Sequence, residues 1–307
     1  MFKFQSEQIS FDVGGVRFGG QPGKRRTVMV GSLFYPRHSI VQDRIEGVID
    51  QPRTKEVLEK MMTASTETGC PAAVMLFAET SNAMRSYIRQ FSEISDLPFF
   101  VDSPSRDVRL DGIRFAKEIG LQDRAIYNTL SAGTDEKELA AMSDVGVETA
   151  VLLAFNPMDL TVKGKIYLLE DGGGVLKEGL IDMAKKAGVK NLLLDMAVLA
   201  AEQNAGSALR ALFISKAKWG LPCGCALHNA VESYAPLLKA SKNDPRLYRY
   251  VDTASCALPM MAGADFVMYG PIESARRVMY SASFTDELLC HATADIVYER
   301  EGDKRHR

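Results

Sequence analysis

The chain has 307 residues, 46% hydrophobic and 25% charged, and its 37 basic and 39 acidic side chains leave a net charge of −2. That balance argues against a nucleic-acid-binding surface, and the apolar share is ample for a sizeable core, so a small organic substrate or a folded partner is expected. Five cysteines without a disulfide-like spacing point to a reducing cytoplasm, and no signal region or apolar run of membrane-spanning length is found, so no membrane insertion is expected.

Taken in order, residues Phe2 to Gly20 alternate apolar and polar positions about Gly14-Gly15 and predict a β-hairpin, placed to plug the bottom of whatever follows. From Thr27 the pattern changes to apolar strand, polar loop and amphipathic helix. Val28 to Phe34 is the first strand, followed by a helix over Thr54 to Thr66 with Val57, Leu58, Met61 and Met62 on one face. Ala72 to Phe77 is the second, followed by a helix from about Ser81. Phe99 to Asp102 is the third, with Ser105 capping a helix that Gly120 stops. Ala125 to Asn128 is the fourth, with Thr134 as the cap of a helix ending at Gly146, and Thr149 to Asn156 is the fifth.

A long loop is expected from Pro157 to about Gly174, and its Gly172-Gly173-Gly174 lacks the lysine spacing of a phosphate loop, which leaves a lid hinge as the reading. A helix bearing Leu176, Leu180 and Met183 follows. Leu192 to Met196 is the sixth strand, with Ser207 as a cap for the helix to Lys218. Leu221 to Ala226 is the seventh and Asp265 to Tyr269 the eighth, before a mostly helical Glu273 to Arg300 and a charged tail, Glu301 to Arg307. Eight strand-helix units in one series predict a single domain over 1–307, an α/β TIM (β/α)8 barrel with an N-terminal hairpin.

The active face of such a barrel lies at the carboxyl ends of its strands, which gathers Glu79, Asp102, Asn128, Asn156, Asp195 and Asn229. Each polar group ends an apolar run or follows it closely. The set is rich in Asp and Asn and poor in His, Lys and Ser, which argues against a nucleophilic triad. It suits a heterocycle that presents ring N–H groups and a carbonyl together, such as a pterin or purine edge, although each group could instead cap the next helix. Cys223-Gly224-Cys225 with His228 nearby lacks the usual zinc signatures, so small strand-lining residues are expected there and no metal.

Five motifs carry a family resemblance over almost the whole chain: Phe18-Gly19-Gly20-Gln21-Pro22-Gly23, Gly31-Ser32-Leu33-Phe34-Tyr35, Val101-Asp102-Ser103-Pro104-Ser105, Arg124-Ala125-Ile126-Tyr127-Asn128, and Asn156-Pro157-Met158-Asp159 running on to Gly164. In that order they resemble the H subunit of tetrahydromethanopterin S-methyltransferase, a family whose bacterial members include the methylcorrinoid:tetrahydrofolate methyltransferases of glycine betaine demethylation. The resemblance implies a pterin-binding barrel in which Asp102 and Asn128 grip the pterin edge, Asp195 holds the other part of the pyrimidine ring and Asn229 lies near N5; Ser103 and Asn156 are added as pterin-binding candidates, and Glu79 as the group that exchanges the N5 proton through water.

It further implies methyl transfer between methylcob(III)alamin on a separate corrinoid-carrying protein and N5 of tetrahydrofolate, giving 5-methyltetrahydrofolate and cob(I)alamin. The Asp-x-His-x-x-Gly motif of corrinoid carriers is missing from this chain, and the 157–174 loop is expected to meet the carrier. A homodimer is expected from the same resemblance. Two alternatives stay open: an H subunit acting only within a membrane complex on tetrahydromethanopterin, and a dihydropteroate-synthase-like condensation using Arg276-Arg277.

Overall fold

In a computed structural model, residues 3–296 are described; the tail Glu301 to Arg307 and the end of the predicted last helix lie outside them. The hairpin is β1 (Ser10–Val13) and β2 (Val16–Gly19), joined at Gly14-Gly15, both with positive φ, as a two-residue turn requires. The chain then runs β3 (Val28–Leu33), a small excursion of β4 (Val41–Asp43) and β5 (Val48–Ile49), α1 (Gln51–Thr68), β6 (Ala72–Phe77), α2 (Ser81–Ser92), β7 (Phe99–Asp102), α3 (Arg106–Glu118), β8 (Ala125–Leu130), α4 (Glu136–Val145) and β9 (Thr149–Leu153). It continues with α5 (Val162–Glu170), α6 (Leu180–Lys186), β10 (Asn191–Asp195), α7 (Gly206–Trp219), β11 (Cys223–Cys225), four helices α8 (His228–Ser233), α9 (Ala235–Ser241), α10 (Pro245–Ser255) and α11 (Ala257–Met261), then β12 (Phe266–Pro271) and α12 (Ala275–Ala292).

Strands β3, β6, β7, β8, β9, β10, β11 and β12 pair in parallel in that order, and β12 returns to β3, so the sheet is a closed eight-stranded barrel. Period-two alternation sorts its side chains into two cores. Inside lie Val28, Val30, Ala73, Phe100, Ile126, Val151, Leu193, Phe266 and Met268. Outside, between sheet and helices, lie Met29, Val74, Phe99, Tyr127, Leu192 and their neighbours. The hairpin adds Val13 and Phe18 to the inner core, with Phe18 edge-on to Phe266 at 6.2 Å. It is hydrogen-bonded to the strand starts through Gly14 N–H to Asp123 O and through Ile9 N–H, just before it, to Gly220 O. The hairpin therefore seals the floor. Phe18→Ala should cost about 3–5 kcal/mol, read by urea denaturation.

The predicted boundaries shift where capping chemistry decides them. Asp50 caps α1 by accepting from Arg53 N–H, so that helix begins before Thr54. The cap of α4 is Asp135, which accepts from Glu138 N–H, while Thr134 Oγ1 accepts from Ser131 N–H in the preceding turn. Ser105 holds the N-cap position of α3 without a side-chain bond. Ser207 lies inside α7 with its hydroxyl donating to Leu160 O. Strand β9 ends at Leu153, so Asn156 belongs to the following loop, and the expected 157–174 loop contains α5. No helix among the described residues is long and apolar enough to cross a membrane.

Candidate functional site

Side chains two residues apart on a strand face the same way. Phe100, Ile126 and Leu193 belong to the inner core, which directs Asp102, Asn128 and Asp195 inward one layer higher, at the carboxyl ends of β7, β8 and β10. Asp102 and Asn128 are register partners, and Asn128 Nδ2 donates to Asp102 Oδ1 at 2.9 Å. That bond orients the amide, leaving Asn128 Oδ1 and Asp102 Oδ2 without a partner among the described residues. Asp195 is 8% exposed and accepts from Ala197 N–H at 2.9 Å through Oδ1, so its Oδ2 is open too.

Both carboxyls sit in a water-poor layer without a cation in contact. Burial pushes Asp102 up to about 6, against the Asn128 bond and the more distant Arg109 charge. Burial pushes Asp195 up to about 7, against the Ala197 N–H and Lys165, with a smaller push from Asp102. Ligand N–H donors would favour the ionised forms, so the layer has the chemistry to accept a donor-rich edge.

The other expected residues stand around this layer. Ser103 is buried, and its hydroxyl accepts from Ser105 N–H while its carbonyl accepts from Arg109 Nη1 at 2.7 Å. Asn156 has both amide ends engaged, donating to Gly173 O and accepting from Met158 N–H, each at 2.9 Å. It ties the loop after β9 to the glycine triplet, where a Cβ on Gly173 would come within 2.7 Å of Asn156 Nδ2. The triplet is thus a packed turn. Asn229 donates Nδ2 to Val198 O at 2.7 Å, joining the loop after β10 to the first turn of α8. Glu79 faces Arg44 at 3.4 Å in a neighbouring cavity of about 560 Å3 also lined by Tyr35, Arg37, His38 and Phe77; Asp102, Asn128 and Asp195 do not line it.

Three features were not anticipated. Lys165 on α5 is 4% exposed and donates to Ala197 O at 2.7 Å and Ala154 O at 3.4 Å, with burial lowering its pKa. Its signal was a lysine on the helix face that carries Leu168 and Leu169. Arg109, Glu138 and Tyr127 form a buried set behind Ser103: Arg109 Nη2 meets Glu138 at 2.8 Å and the Tyr127 hydroxyl donates to the same carboxylate. Glu138 likewise breaks an apolar face with Met142 and Val145. The third is the setting of His228, weighed in the sequence only as a neighbour of the cysteine pair: at the barrel rim its Nδ1–H donates to Met268 O at 3.0 Å.

Cys223 and Cys225 point into the outer core, where burial raises their thiols above the ordinary range. Among the described residues no group of three or more His, Cys, Asp or Glu is placed to hold a metal ion. Arg277, considered for pyrophosphate, is held by Asp252 at 2.5 Å and Ser274 at 2.6 Å.

The family described as tetrahydromethanopterin S-methyltransferase MtrH subunit matches residues 6–301. The chain belongs to this family. The H subunit of tetrahydromethanopterin S-methyltransferase from Methanothermobacter marburgensis is 40% identical over 303 residues, covering 99% of this chain and 98% of its own. Its counterpart from Methanothermobacter thermautotrophicus is 39% identical, covering 96% of each chain. Membership in the MtrH family makes the chain a methyltransferase-family protein. Among solved structures, a Yersinia pestis dihydropteroate synthase holding a pterin-sulfa conjugate superposes with a TM-score of 0.62 at 13% identity, over 92% of this chain and 98% of its own. That likeness is one of fold, a TIM barrel like that of this MtrH-family chain.

Proposed function

We propose that the protein moves a methyl group between a corrinoid carried on a separate protein and N5 of tetrahydrofolate, giving 5-methyltetrahydrofolate and cob(I)alamin in the forward direction. The observation that carries this reading is the inward layer of Asp102, Asn128 and Asp195, each with an oxygen open to a ligand. Two carboxylate oxygens accept from the 2-amino and ring N–H groups of a pterin, and the amide oxygen accepts a further N–H. Ser103 and Asn156 shape the walls, and Asn229 lies toward N5. Holding N5 in line with the methyl–cobalt bond supplies most of the rate. The carrier protein lands on the rim, where Met158 is 83% exposed and Leu199 47% exposed. The protein works as a cytoplasmic homodimer, which light scattering would read.

The names of the curated relatives favour a second reading, tetrahydromethanopterin as the pterin. Anaerobic calorimetry with each pterin separates the two. Asp102→Ala and Asn128→Ala should each weaken binding of the preferred pterin by about 10–100-fold, the worth of a hydrogen bond to a charged group, with thermal unfolding little changed. Unchanged affinity in both would remove this layer from the site. Appearance of cob(I)alamin and the methylated pterin from methylcob(III)alamin would establish the reaction.

A further inference from the structure

Methyl transfer to N5 leaves a proton to be removed, and in the proposed pose the open oxygens of Asp102 and Asp195 are already taken by the pterin's 2-amino and ring N–H groups. We propose that His228 carries the N5 proton of the reaction proposed above. The residue opens α8, just past the end of β11, and its imidazole donates from Nδ1 to the main chain of β12 at Met268 O, 3.0 Å away. Strand β12 is irregular here: its register with β3 shifts between Met268 and Pro271, and Gly270 inside the shift has φ +80°. Bulges of this kind re-aim groups beside active sites. A Cβ at Gly270 would lie 2.7 Å from His228 Cδ2 and 3.0 Å from Nε2, so the ring fills space that only glycine leaves.

The Met268 bond fixes the tautomer, because a carbonyl only accepts. The proton sits on Nδ1, and Nε2 presents its lone pair with no partner among the described residues. The charged groups acting on the ring are Glu232 on its own helix and Asp252 on α10, the latter paired with Arg277 of α12. Burial outweighs both and holds the imidazole below its ordinary value, neutral and weakly basic at pH 7, which suits exchange with a weakly basic arylamine.

In the forward direction the N5 lone pair forms the N–CH3 bond while the Co–C bond breaks and cobalt keeps its electron pair as Co(I). N5 then bears one proton too many. Nε2 takes it, and imidazolium releases it to water. In reverse, imidazolium protonates N5 before Co(I) attacks the methyl group.

The test is single-turnover transfer from methylcob(III)alamin to tetrahydrofolate or tetrahydromethanopterin across pH 5–8, with pterin saturating at each pH so that protonation of Asp102 and Asp195 does not enter as lost binding, in wild type, His228→Asn and Glu79→Gln. Asparagine keeps an N–H for Met268 O and cannot titrate. The expected result for His228→Asn is a rate lowered on the order of 100-fold with pterin affinity within about threefold, and loss of the wild-type acid limb below pH 6.5. Should that variant fail to fold, His228→Gln must show the same. Retention of rate and limb in the histidine variants, or their loss in Glu79→Gln instead, overturns the assignment while leaving the methyltransferase reading intact. A wild type that binds neither pterin and demethylates neither methylcob(III)alamin nor a methylated carrier overturns both.

Discussion

Asp195→Asn should abolish useful pterin binding and at the same time make the empty protein more stable. Ala197 N–H claims the one oxygen an amide would keep, so the new NH2 group turns toward the ligand, donor against donor. A loss of about 100-fold or more in affinity is expected by calorimetry. The stability effect has the opposite sign. Asp195 titrates at about 7 in the folded protein against 3.8 for an ordinary aspartate, so its contribution is intact below pH 4 and lost as pH rises toward 7. Removing the carboxyl should raise urea-unfolding stability at pH 7.5 by a few kcal/mol, up to roughly 4, the attraction of Lys165 being already contained in the shift, and leave it unchanged near pH 4. A variant destabilised equally at both pH values would mean the carboxyl is structural.

The second large effect is at the opposite end of the barrel. Lys216 is fully buried, and its ammonium lies 2.9 and 3.0 Å from the two oxygens of Asp265 and 3.0 Å from Gly20 O. One side chain thus binds α7, the residue before β12 and the segment after the hairpin. Lys216→Met leaves Asp265 buried without its cation, and a cost of about 3–5 kcal/mol is expected. Burial already raises Asp265, so in the variant stability should recover as pH falls and the carboxyl protonates. Adding Asp265→Leu should restore most of the loss. Urea denaturation at pH 5 and pH 8 measures both, and an additive double mutant would contradict a coupled pair.

The barrel was legible because strands buried on both faces read as unbroken apolar runs; Ala72–Phe77 and Phe99–Asp102 were placed residue for residue. The polar layer was legible for the same reason, since a carboxylate or amide closing such a run has few places to go. Less visible were elements whose cause is not local. The four helices between 228 and 261 are short, and Pro236, Pro245 and Pro259 cut any periodicity before it accumulates. Strands β4 and β5, three and two residues long, leave too little pattern to see. Lys165 and Glu138 hide because a lone charge on an apolar helix face is readable only once its partners are known. His228 is placed by a bulge about forty residues away in sequence, which no window around it contains.

The floor formed by Val13 and Phe18 has a kinetic consequence. A barrel closed below has one entrance, and under the proposed reaction a small heterocycle and a much larger carrier must share it. Whichever seats first governs the other. A pterin in the bottom of the mouth still leaves the rim free, whereas a carrier on the rim blocks the pterin's way in. Turnover should therefore follow an ordered scheme, heterocycle before protein, in which excess carrier inhibits by occupying empty enzyme and excess pterin does not.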